Sequence, residues 1–132
     1  MKAVDTNVVL RLIVADDPVQ GSAARALVAE APVLVPLTVT LECEWVLRSY
    51  YKHTPIQIAD ELDAMTDLHN IVFEHVAGVR WALGRLTAGA DFADMIHIVQ
   101  AADAGASAFV TFDTGIRDHA SAGAPIPVFD IA

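Results

Sequence analysis

Five acidic side chains stand where short apolar runs give way to helices or turns: Asp5, Glu42, Asp91, Asp94 and Asp113. Asp5 follows Ala3-Val4, Glu42 sits inside an apolar helical stretch, Asp91 and Asp94 open a later helix, and Asp113 follows Phe109-Val110-Thr111-Phe112. Carboxylates from four separate elements, Asp5, Glu42, Asp94 and Asp113, cannot gather unpaired, because like charges raise one another's pKa values or push the site apart. A divalent cation resolves that conflict. An all-oxygen donor set without a Cys or His cluster favours Mg²⁺ or Mn²⁺ over Zn²⁺ or Cu²⁺. Such ions activate water and neutralise charge on a phosphodiester, so the chemistry expected is metal-dependent hydrolysis.

Each acid also has an ordinary structural reading. Asp5 is a favoured N-cap for a helix beginning near Asn7, but Thr6 caps equally well and leaves Asp5 available. Glu44 has Arg48 four residues on, the favoured ion-pair order, whereas Glu42 lies between Val39 and Val46 and is the unpartnered acid of its helix. Asp91 and Asp94, three apart, fit an N-cap with an acid in the first turn. Asp94 is followed by Met95, Ile96, Ile98 and Val99 and joins the core-facing part of that helix, with His97 as a packing or supporting residue. Asp113 fits an Asx turn, and Thr111, two positions earlier, points to the same side of the strand. Asp60, Glu61, Asp63 and Asp67 read as the solvated side of a surface helix.

The elements that must position these acids alternate along the chain. Helices are expected from Asn7 to Val14, Val19 to Glu30, Thr38 to Tyr51, Ile56 to Leu68, Val79 to Leu86 and Phe92 to Ala104. Short strands are expected at Ala3-Val4, Val33 to Val35, Ile71 to Phe73, Ala108 to Phe112 and Pro127 to Phe129. The helix holding Glu42 is apolar almost all round, with Val39, Cys43, Val46, Leu47 and Tyr50 on one stripe and Leu41 and Trp45 on another, and reads as buried. Helices between short apolar strands imply an α/β fold, a central parallel sheet of four to five short strands flanked by helices. In open sheets of this kind the functional crevice lies beyond the carboxyl ends of the strands, where Asp5 and Asp113 both fall.

Composition narrows the classes. The 132 residues, 55% of them apolar, fit one compact domain spanning 1–132, with no repeat or linker. A single cysteine, Cys43, excludes an intramolecular disulfide framework and makes a reduced, cytoplasmic setting the default. The first residues lack a signal-peptide core, and the apolar stretches fall short of a membrane span, so no membrane association is expected. A formal net charge of −9 argues against binding nucleic acid through a broad basic face. It leaves room for a nuclease whose metal supplies the local positive charge.

Taken together, Val4-Asp5-Thr6-Asn7, Leu41-Glu42-Cys43-Glu44-Trp45-Val46-Leu47, Asp91-Phe92-Ala93-Asp94 and Val110-Thr111-Phe112-Asp113 resemble the PIN domain, and more closely the VapC-like toxins of bacterial toxin–antitoxin pairs. The resemblance spans nearly the whole chain and rests on the order and spacing of the four segments. It implies a ribonuclease using Mg²⁺ or Mn²⁺, with the catalytic acids falling on Asp5, Glu42, Asp94 and Asp113. Asp91 matches an accessory metal-binding acid, and Asn7 and Thr111 match supporting polar positions. It further implies an RNA substrate, a homodimer, and a cognate antitoxin whose C-terminal segment covers the acidic groove. Leu10, Leu12, Ile13 and the Ala-rich stretch 22–31 are candidates for an antitoxin groove or for ordinary core. Arg11, Arg48, Lys52, Arg80, Arg85 and Arg117 are candidates for phosphate contacts.

Two other classes share the composition. A Mg²⁺-binding receiver domain that accepts a phosphoryl group needs a late lysine, and the only lysines are Lys2 and Lys52. A phosphatase with a nucleophilic N-terminal Asp needs a second Asp two residues on, where this chain has Asn7.

Overall fold

The computed structural model describes residues 1–120 and 123–131. The chain divides into two compact units, Met1–Val76 and Ala77–Ala132. Seven helices and five strands are present among the described residues, and every strand pair is parallel, as an α/β fold requires.

In the first unit, β1 (Lys2–Ala3), β2 (Val33–Val35) and β3 (Ile71–Phe73) form a sheet in that order. Lys2 pairs with Val33, and Val33 with Ile71. The Val4 N–H donates to the Leu34 carbonyl at 3.0 Å, carrying the ladder one residue further toward Asp5. Helices α1 (Thr6–Ile13) and α2 (Pro18–Glu30) follow β1, and α3 (Leu37–Ser49) and α4 (Pro55–Thr66) follow β2. The α4 start carries its own signal: Thr54 and Gln57 form a reciprocal capping box ahead of Pro55. Pro36, the N-cap of α3, has no side chain to offer, and the Glu74 carboxylate accepts from the Leu37 N–H at 2.7 Å instead.

The buried stripe of α3 is Leu37, Thr40, Cys43, Glu44 and Leu47, a 3.6-residue repeat. It packs on α1 and α4, so truncating the fully buried Leu47 to Ala costs about 2–5 kcal/mol. The expectation of an all-round buried helix is corrected here, because Trp45 and Tyr50 lie open to solvent. An acid takes part in the buried stripe, while these two large apolar side chains stay outside it.

The second unit holds α5 (Val76–Thr87), α6 (Phe92–Asp103), β4 (Phe109–Thr111), α7 (Thr114–Ala120) and β5 (Val128–Asp130). β4 and β5 pair as a two-stranded parallel sheet, with Val110 opposite Phe129. The five expected strands are therefore present, hydrogen-bonded as a group of three and a group of two. Helix α7 was not among the expected elements: Thr-Gly-Ile-Arg-Asp-His-Ala has a glycine and no apolar stripe. It stands because it packs on β5 and α6, tertiary contact overriding weak local propensity. Val79, Leu83, Phe92, Met95 and Ile98 make this unit's core. Between α5 and α6, Gly78 lies against Val99 so closely that a Cβ added there would stand 2.5 Å from a valine methyl carbon.

Candidate functional site

In the first unit, β1 delivers Asp5 directly to the head of α1. Its carboxylate accepts from the Val8 N–H at 3.2 Å, so Asp5 is the N-cap. The expectation that Thr6 does the capping is corrected: Thr6 turns inward, is buried, and its hydroxyl donates to Glu42 Oε1 on α3. Glu42 thus has a partner, and it is exposed, not set among apolar side chains as its neighbours in sequence imply. The buried acid of α3 is Glu44, 2% exposed, which accepts from Arg48 Nε at 3.0 Å. The i, i+4 pair is present as expected, but its carboxylate lies inside the fold.

Beneath these acids is Cys43, whose Sγ lies 4.0 Å from the Thr6 carbonyl oxygen. Burial, followed by the negative charges of Glu42 and Asp5, pushes its thiol up to about 12. A thiol held protonated this firmly is neither nucleophile nor metal ligand near neutral pH. Both acids lie close enough to Cys43 for their charge to act on its thiol. Asn7, one residue beyond Thr6, is exposed and lines a groove between α1 and α2. That groove has a volume of about 420 Å³ and is walled by Asp5, Val8, Arg11, Gln20, Ala23 and Leu27. The sequence offered Leu10, Leu12, Ile13 and the Ala-rich stretch 22–31 as an apolar groove or as ordinary core: Leu10 is buried in the core, whereas Ala23, Ala24 and Leu27 of that stretch line this groove.

In the second unit, Asp91 caps α6, its carboxylate accepting from the Asp94 N–H at 3.1 Å. Asp94 follows in the first helical turn and is half-buried. Its carboxyl is raised from the ordinary value, first by burial and then by the negative charges of Asp91 and Asp113, with His97 opposing. Asp113 lies just beyond β4 and is pinned from both sides. Its own N–H donates to Thr111 Oγ1 at 2.9 Å, and its carboxylate accepts from the Gly115 N–H at 2.8 Å. The Asx turn stands as expected, while the Thr111 hydroxyl engages the Asp113 backbone and not its carboxylate.

The acids therefore fall in two sets, Asp5 with Glu42 in one unit and Asp91 with Asp94 and Asp113 in the other. Among the described residues, no three His, Cys, Asp or Glu side chains meet as a ready-made ligand cluster. The donor chemistry nonetheless fits a hard divalent cation. The donors are all oxygen, and in the second unit the negative charges of Asp91 and Asp113 act on the half-buried Asp94, a repulsion that added positive charge would relieve.

The candidate phosphate contacts are mostly engaged. Arg11 pairs with Asp16 at 2.9 Å and with Gln20 and Tyr51, Arg48 with Glu44, and Arg117 with Asp130 at 2.7 Å. Lys52 donates to the Ser49 carbonyl, and Arg85 to that of His119. Thr6 is the residue that sequence reasoning missed: a hydroxyl 36 residues from its carboxylate partner leaves no spacing signal. Among the described residues, no helix is long and apolar enough to cross a membrane.

No curated protein matches the sequence. A family does, and its members are generally metal-dependent nucleases. The order Asp5, Glu42, Asp91, Asp94, Asp113 and the parallel α/β frame that holds these acids are in keeping with that match, which covers residues 2–122, and the chain belongs to the PIN domain family.

Proposed function

We propose that this PIN-domain chain is a Mg²⁺- or Mn²⁺-dependent endoribonuclease, and that it serves as the toxin of a cytoplasmic toxin–antitoxin pair. The observation that carries the reading is the Asp91–Asp94–Asp113 set, in which burial and two like charges act on one carboxyl. A carboxyl perturbed by burial and by neighbouring like charges, set within a group of acids, is a mark of a functional site. Asp5, Glu42, Asp94 and Asp113 are assigned as the catalytic acids, Asp91 as a further metal-binding acid, and Asn7 and Thr111 as supporting residues.

When bound, the divalent cation neutralises the phosphodiester's charge and lowers the pKa of an attacking water. The chain's own part is placement. Thr6 fixes Glu42, the Asp5 carboxylate is held at a helix N-terminus, and Asp113 is clamped between Thr111 and Gly115. A protein of net charge −9 repels RNA on average, so substrate affinity depends on the cation and a few local contacts. We further propose that the chain is a homodimer, and that a small antitoxin lays a basic segment over the acids and silences them.

The test is cleavage of a mixed pool of structured cellular RNAs by the purified, partner-free chain in Mg²⁺, Mn²⁺ or EDTA, beside Asp94→Asn. Cleavage that needs the metal and is lost in the variant supports the reading, and the cut sites name the target. A folded chain that binds Mn²⁺ yet leaves every RNA in the pool whole counts against it.

A further inference from the structure

We infer that the groove between α1 and α2 is a subsite for one nucleobase of the substrate, a base whose edge is rich in carbonyl oxygen, as in uracil or guanine. The inference rests on the nuclease reading above and names what sits beside Asp5. The groove, of about 420 Å³, falls at the lower end of the roughly 300–1,000 Å³ of small-molecule sites, the scale of a single nucleoside.

Two helical faces wall it. On α2, Gln20, Ala23, Ala24 and Leu27 follow one another at helical spacing, and on α1 Asn7 and Val8 precede Arg11 by four and three residues. Val8, Ala23, Ala24 and Leu27 supply apolar contact, and the short alanines leave a slot open to a flat ring. Asp5 and Arg11 bring one charge of each sign. The lining is therefore neutral as a whole and suits an uncharged base better than a phosphate or a strongly basic peptide. Asp5 belongs both to this groove and to the proposed catalytic acids, so a base seated here brings its own phosphate to the acids.

The hydrogen bonds already made decide which base fits. Arginine has donors only, so the amide oxygen of Gln20 is the atom that accepts from Arg11 Nε at 2.9 Å, and the Gln20 amide nitrogen keeps its N–H groups to give. Arg11 spends Nη1 on Asp16 and Tyr51, which leaves Nη2. Tyr51 in turn donates to Asp16 at 2.7 Å, so the guanidinium is held from several sides. Asn7 is exposed, and among the described residues its side-chain amide has no hydrogen-bond partner, so it offers both an acceptor and a donor. With Asp5 assigned to the cation, the groove has donors on three side chains and an acceptor on one. Uracil sets two carbonyl oxygens about one N–H, and guanine presents O6 beside N7, whereas cytosine and adenine put an amino group among these donors.

Titration of the ¹⁵N-labelled full chain with the 5′-monophosphates of uridine, guanosine, cytidine and adenosine in Mg²⁺ tests this by NMR. The phosphate is common to all four, so their ratio reads the base. Uridine and guanosine monophosphates are expected to shift the side-chain amides of Asn7 and Gln20 and to bind about tenfold more tightly than the other two. Ala23→Phe, which fills the slot, is expected to lose these shifts. Gln20→Glu keeps an oxygen for Arg11 but replaces the donor by an acceptor, and is expected to lose the preference. Both positions are exposed on α2, and circular dichroism checks the fold. In RNA, the wild type is expected to cut beside uracil or guanine and Gln20→Glu to cut with that preference relaxed. A groove that ignores all four nucleotides, or takes all four equally, overturns the inference; in the first case the groove is left to a protein segment. Cleavage by Ala23→Phe at the wild-type rate and sites also overturns it and leaves the nuclease reading standing. A wild type that binds the two carbonyl-rich nucleotides here yet cleaves no RNA overturns the nuclease reading and upholds the groove as a nucleotide site.

Discussion

The hydroxyl of Thr6 donates to the carboxylate of Glu42, tying the first turn of α1 to the middle of α3 across 36 residues of sequence. Replacing Thr6 by Val keeps the shape and removes the donor. Because Glu42 is exposed and water takes over part of the bond, Thr6→Val is expected to cost about 1 kcal/mol, while Thr6→Ser stays near wild type. Urea midpoints read the stability. RNA cleavage is expected to fall in Thr6→Val and recover in Thr6→Ser, since the serine still holds Glu42 in place.

Asp5 and Asp91 each cap a helix, and amide substitution separates that role from the metal-binding one proposed for them. Asn caps a helix about as well as Asp, whereas Ala costs about 0.5–2 kcal/mol. Asp5→Asn and Asp91→Asn are therefore expected to melt near wild type, and Asp5→Ala and Asp91→Ala several degrees lower. If the acids serve only as caps, metal-dependent cleavage survives in the Asn pair. The proposed function requires that Asp5→Asn lose it.

Asp94 sets a pH dependence whose sign is opposite to that of an ion-paired carboxylate. Burial and the charges of Asp91 and Asp113 raise its pKa in the folded chain. Its contribution to stability is therefore full below the ordinary carboxylate range and is lost as pH rises through the raised value. Without metal, Asp94→Asn is expected to melt above wild type at neutral pH, and the two converge below pH ~4. Mn²⁺ reverses the order: at one hundred times its Kd it stabilises a binding-competent chain by about 2.7 kcal/mol, and the variant gains less. A thermal melt across pH, with and without Mn²⁺, gives all four curves.

Gly78 is a helical glycine at which alanine is expected to do harm. Helix propensity alone favours Ala by roughly 0.8–1 kcal/mol, but the added Cβ meets a Val99 methyl at 2.5 Å in a buried contact. Overpacking wins, for an expected net loss of about 1–3 kcal/mol. Gly78→Ala combined with Val99→Ala is expected to be more stable than additivity of the two single changes allows, measured as a double-mutant cycle in urea.

Local signals carried much of the fold. β2 and β3 lie where their apolar runs predict, and Asp91 announces the start of α6 by residue type alone. What the sequence hid has a common cause in long-range contact. The Glu44–Arg48 pair of α3 was legible from its i, i+4 spacing, but only the fold shows that its carboxylate joins the buried stripe with Thr40, Cys43 and Leu47. Glu42 looked unpartnered because its donor is on another helix. Helix α7 escaped because its support comes from β5 and α6 and not from its own residues. Of the candidate site, the helix caps at Asp5 and Asp91, the Asx turn at Asp113 and the repulsion among like charges were legible from residue type and spacing; the tie from Thr6 to Glu42 and the burial of Glu44 were not.

The purely parallel pairing of the strands has a kinetic consequence. No ladder in either sheet is closed by a hairpin, and β1 finds β2 only after about thirty intervening residues are brought back on themselves. That closure costs entropy before any ladder bond repays it. Refolding is therefore expected to be governed by how readily the α1–α2 and α3–α4 segments compact, so that Thr6 and Glu42, one on each side of β2, meet late.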